Sequence, residues 1–176
     1  WGEEGTISYP FAFIDASKID PMIKLMIDHK AGYMPLIIND LGGLTPRAKY
    51  YADEVTNLFK DPELRYVTED TWLAAATQFS RIRSYSKTVG EYPRVDKMTP
   101  AQLDENKRAY KNTLDFAVKL VKAGGIVWLG TDTPGSGNIA GLAIRQEIEA
   151  LVDAGLTPLQ GIQAASKNTA EFFNKG

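Results

Sequence analysis

The residues of this sequence that could carry chemistry gather around Asp132. An apolar run, Ile126-Val127-Trp128-Leu129, leads into Gly130-Thr131-Asp132, and the loop Thr133-Pro134-Gly135-Ser136-Gly137 follows. A carboxylate at the C-terminal tip of a parallel strand stands where α/β proteins keep their sites, and it can accept a proton from water or ligate a cation. Its structural alternative is to cap the turn after its strand. Thr133 and Ser136 offer hydroxyls to a substrate beside it. Gly135-Ser136-Gly137 either presents backbone N–H groups to an anion or is a flexible connection. Arg145, early in the next helix, suits a substrate carboxylate, since guanidinium binds one bidentately, or lies as a solvated charge. Asn39 closes another apolar run and either contacts substrate or caps a turn. His29, the single histidine, falls at a helix end and reads as an exposed or half-buried structural residue.

The elements that must position these residues follow from local pattern. Asp20-Pro21 opens a helix that runs to Lys30 and stops at Gly32. Tyr33 to Asn39 reads as a strand, with a further short one near Thr6 to Ala12. Pro46 to Lys60 and Thr68 to Val89 have helical spacing, and the aromatic series Tyr50, Tyr51, Phe59, Trp72, Phe79 and Tyr85 suggests packing of this region on itself or a wall over substrate. Thr99-Pro100 caps a helix that ends at Gly124-Gly125. The strand Ile126 to Thr131 follows. Then come a helix from Leu142 ended by Gly155, a helix opened by Thr157-Pro158, and a short one over Thr169 to Asn174. Strand, helical insertion, strand, helix is the order of an α/β fold with parallel strands.

Composition narrows the classes. The chain has 176 residues, 44% hydrophobic and 24% charged, with a net charge of −2 and no cysteine. Disulfides and thiolate metal sites are excluded. No basic run suits nucleic acid, and no apolar run reaches the ~18 residues of a membrane span. The reading is a soluble chain of unassigned compartment. It opens at Trp1 without a signal-like segment, as a processed or truncated product would. Two or three parallel strands leave edges exposed, so the isolated chain is expected to aggregate or to pair with a completing segment or a second copy. A phosphate-binding α/β enzyme is a weaker reading, because neither GxxxxGK[ST] nor GxGxxG is present.

Gly130-Thr131-Asp132, the helix Gly141 to Gln160 and Ala164-Ala165-Ser166-Lys167-Asn168-Thr169-Ala170 together resemble the C-terminal end of the amidohydrolase superfamily, in its imidazolonepropionase-like and prolidase-like branches. The likeness is close from Gly130 to Ala170 and looser over 20–39. It implies the C-terminal part of a (β/α)8 TIM-like barrel. In this layout 46–98 is a helical insertion or lid between the last two strands, 126–132 the last strand and 142–174 the closing helices. Asn39 would end the seventh strand. The implied activity is metal-dependent hydrolysis of amide, peptide-like or cyclic C–N bonds. Asp132 would be metal ligand and general base, with one or two divalent ions, zinc by expectation. The family's His-x-His pair and single strand-end histidines have no counterpart in this chain. The other ligands would therefore come from a preceding segment or another chain, and the isolated chain would be inactive. The rival reading is a non-catalytic, amidohydrolase-like assembly subunit.

Overall fold

The computed structural model describes residues 10–38, 46–47, 50–51, 54, 57, 62, 99–132 and 141–173. The order is a 3-10 turn at Pro10–Phe13, a second at Ala16–Lys18, helix α1 (Ile19–Asp28), strand β1 (Gly32–Tyr33), helix α2 (Pro100–Lys122), strand β2 (Ile126–Val127), and helices α3 (Leu142–Asp153), α4 (Pro158–Ala165) and α5 (Lys167–Phe172). Positions 50, 51, 54 and 57 are also helical. The predicted helix over Thr68 to Val89 and the first part of the strand expected near Thr6 to Ala12 lie outside the described residues, while Pro10 to Ala12 form a 3-10 turn and not a strand.

Helix boundaries obey local chemistry. Thr99 and Thr157 each close a capping box, with Gln102 and Gln160, ahead of a proline in the first turn. Three helices stop in the same way. After α2, Gly124 takes φ +88° and Gly125 N–H donates to Leu120 O at 2.8 Å. After α3, Gly155 takes φ +116° and Leu156 N–H reaches Leu151 O. After α1, Lys30 takes the left-handed position, at φ +52°, and Ala31 N–H donates to Met26 O. This is the reversal that returns the last carbonyls their partners. At the front of α1 the cap is displaced: Asp15 accepts from Ser17 N–H at 2.9 Å and organises the 3-10 turn, while α1 starts at Ile19 without a side-chain cap.

The strands are much shorter than their apolar runs. β1 and β2 pair in parallel, Gly32 with Ile126 and Tyr33 with Val127, and Trp128 N–H extends the ladder to Tyr33 O at 3.1 Å. β1 ends because Pro35 has no N–H to give a ladder. Leu36 then takes φ +49°, and Ile37 and Ile38 are helical and buried. β2 ends because its backbone is claimed elsewhere. Leu129 N–H donates to Ala164 O at 3.1 Å, and Val127 O accepts from Asn168 Nδ2 at 2.8 Å.

Those two bonds overturn the barrel. In a closed sheet every strand has a strand on each side. The edge of β2 facing away from β1 is instead occupied by the α4–α5 corner. The described residues form a mostly helical molecule with one two-stranded parallel sheet, not part of a TIM barrel. The core lies where α2 meets β2, α3 and α4, with Ile37, Leu120, Val127 and Leu151 fully buried. Phe11, Tyr33 and Phe116 close one end, their ring centroids 5.1–6.0 Å apart.

Candidate functional site

Asp132 lies past the end of β2, exposed, with φ +50°. Aspartate is among the few side chains that tolerate this left-handed backbone, and such residues concentrate at tight turns and sites. The exits of the two strands are in contact just before it. Met34 lies against Gly130 so closely that a Cβ there would meet its sulfur at 2.5 Å. Thr133 and Ser136 lie outside the described residues, as does Asn39, which follows the buried Ile38.

Arg145 is half-buried on the first turns of α3 and forms ion pairs with Glu54 and Glu149. Glu54 also accepts from Tyr50 Oη at 3.2 Å and from Gln146 Nε2 at 3.3 Å. Glu149 faces Arg47 at 3.8 Å, and Arg47 clamps Asp153 through Nε at 2.6 Å and a second guanidinium nitrogen at 2.8 Å. Charge thus alternates from Glu54 to Arg145, Glu149, Arg47 and Asp153. Burial raises the Glu54 carboxyl, but hydrogen bonds from Arg145 and Gln146 outweigh it and leave its pKa below the ordinary glutamate value. The hydrogen bond from Arg47 does the same for Asp153 against a smaller burial penalty. Tyr51, buried under this strip, donates to Gln146 O at 3.4 Å. Of the aromatic series, Tyr50 and Tyr51 fall within the described residues; both are helical, and their rings are 5.9 Å apart.

Sequence reasoning passed over Glu147. It is fully buried on α3, and its Oε1 accepts the backbone N–H of Ile38 at 2.7 Å. The Tyr33 hydroxyl is pushed up to about 12, first by burial, against a hydrogen bond with Thr113 and with the Glu147 charge adding to it. The signal was present: Glu147 stands on the stripe of Ala143, Ala150 and Leu151, at helical spacing on a buried face.

Among the described residues no group of three or more His, Cys, Asp or Glu side chains is placed to hold a metal ion. A protein zinc site takes three or four such donors, so these residues do not by themselves fit one. His29 is exposed at the C-terminal end of α1. No helix among the described residues is long and apolar enough to cross a membrane. Comparison with protein-family models, with curated proteins and with solved structures finds no match to this chain.

Proposed function

We propose that this chain serves the hydrolysis of amide, peptide-like or cyclic C–N bonds, with Asp132 as the carboxylate that takes a proton from the attacking water. The observation that carries the reading is Asp132 itself: an exposed carboxylate just beyond a parallel strand, held on left-handed backbone. The Gly130-Thr131-Asp132 setting and the helix that follows it supply the reaction class by resemblance. The divalent metal, zinc by that resemblance, would take its remaining donors from outside the described residues, with Asp132 as the carboxylate this chain lends to it.

A correctly placed general base contributes ~10²–10⁴-fold to such a reaction. The protein purified from its natural source, tested on N-acyl amino acids and dipeptides, is expected to lose at least about 100-fold in kcat on Asp132→Ala, with its helical circular dichroism unchanged. Full activity in that variant rejects the role. The second reading, an assembly subunit without catalysis, is favoured by the closed outer edge of β2. It predicts that the native protein hydrolyses none of these substrates even with added zinc.

A further inference from the structure

The carboxylate of Glu54 is held as a bound ligand would be. Both of its oxygens are engaged: Oε1 by Arg145 and by Tyr50 Oη at 3.2 Å, Oε2 by Gln146 Nε2 at 3.3 Å. Guanidinium, amide N–H and phenol together form a donor set for a single carboxylate. Two of the three donors belong to α3 and are fixed there. Gln146 is 4% exposed, and its backbone carbonyl takes the Tyr51 hydroxyl. Arg145 is braced from one turn along the helix by Glu149.

The carboxylate itself is brought by a different part of the chain. Among the described residues, Arg47 and Glu54 meet α3 through ion pairs and hydrogen bonds, and Tyr51 is buried against it. Partly exposed ion pairs of this kind hold weakly and are screened by salt. A tethered group held in this way is open to competition from a free group of the same chemistry.

We propose that Arg145 and Gln146 form a carboxylate-binding subsite, filled in this structure by Glu54, which the free carboxylate of a ligand takes over. Taken with the C–N hydrolase reading on which this extension rests, the substrate class is an amide or peptide that carries a free carboxylate. Asp132 and Arg145 are thirteen positions apart in sequence, so carboxylate anchor and reacting carboxylate would belong to one short stretch of chain.

Propionate binding to the 176-residue chain, followed by ligand-observed NMR, tests the subsite without any need for metal or turnover. Glu54→Ala is expected to bind propionate saturably and about 10-fold more tightly than the unaltered chain, because the tethered competitor is gone. Adding Arg145→Met to Glu54→Ala is expected to abolish binding. Glu54→Gln keeps the side-chain volume and removes the charge, so it serves if the alanine variant does not fold, and it too must bind more tightly than the unaltered chain. Absence of saturable binding in both Glu54 variants, or binding indifferent to Arg145→Met, overturns the proposal. Asp132→Ala is expected to leave propionate binding unchanged. Propionate binding in the expected order, with no hydrolysis by the protein purified from its natural source, would therefore sink the catalytic reading and leave the subsite standing.

Discussion

At the scale of single residues, Glu147 shows how a polar group can be part of a core. Its carboxylate is the acceptor for the Ile38 N–H in a region without solvent. A buried donor stripped of its acceptor costs about 1–3 kcal/mol, and truncating a packed side chain adds a cavity penalty. Glu147→Ala is therefore expected to lower the unfolding free energy by about 2–4 kcal/mol, while Glu147→Gln, which keeps an oxygen acceptor, loses less than half of that. Urea denaturation measures both; equal losses would show that the charge matters and the acceptor does not. The sequence makes Glu147 visible as a charge on an apolar stripe, but spacing alone does not tell whether that charge is buried with a partner or turned to solvent. Arg145 was legible as a cation suited to carboxylates. That Glu54 would lie on it was not, because nothing local links positions so far apart in the chain.

At the scale of elements, what is decided within a few residues could be read and what is decided across the molecule could not. Thr99 and Thr157 each precede Pro and stand three positions before Gln, and both cap as that spacing predicts. The strands were overread because apolar runs do not reveal which backbone groups a helix corner will claim. Asn168 and Ala164 take that role on β2. The strip from Glu54 to Asp153 joins two elements by charge, so it carries a pH dependence whose direction is fixed. Glu54 and Asp153 have lowered pKa values in the folded chain. Their contribution is present above their unfolded values, near pH 4, and is lost as pH falls through the folded ones. Hydrogen exchange within 47–57 is thus expected to rise, after correction for the intrinsic rate, as pH is lowered from 5 to 3. Arg47→Met is expected to show fast exchange at pH 5 already and little further change. A corrected rate flat from pH 5 to 3 in the unaltered chain would mean that the ion pairs do not hold the segment.

At the scale of the molecule, α2 is the element on which the others depend. It packs against the first 3-10 turn, α1, β2 and α3, and Asn112 Nδ2 ties it to Phe11 O at 2.7 Å. α5 lies at the periphery: its Phe172 stacks on Trp128 at 4.4 Å and remains 56% exposed. Truncation should therefore be felt in proportion to position and not to size. Leu120 is fully buried in the centre of α2, in contact with the turn at Gly125. Leu120→Ala is expected to cost about 2–5 kcal/mol, a drop in Tm of about 5–15 °C for a chain of this length. Phe172→Ala removes a larger side chain from a surface already half in water and is expected to cost under about 1 kcal/mol. Thermal melts should also report one transition, whether followed by helical circular dichroism or by the near-ultraviolet signal of the aromatic side chains. If Leu120→Ala lowers the aromatic transition and leaves the helical one in place, α3, α4 and α5 melt as a unit of their own. In that case α2 does not couple the two ends of the molecule.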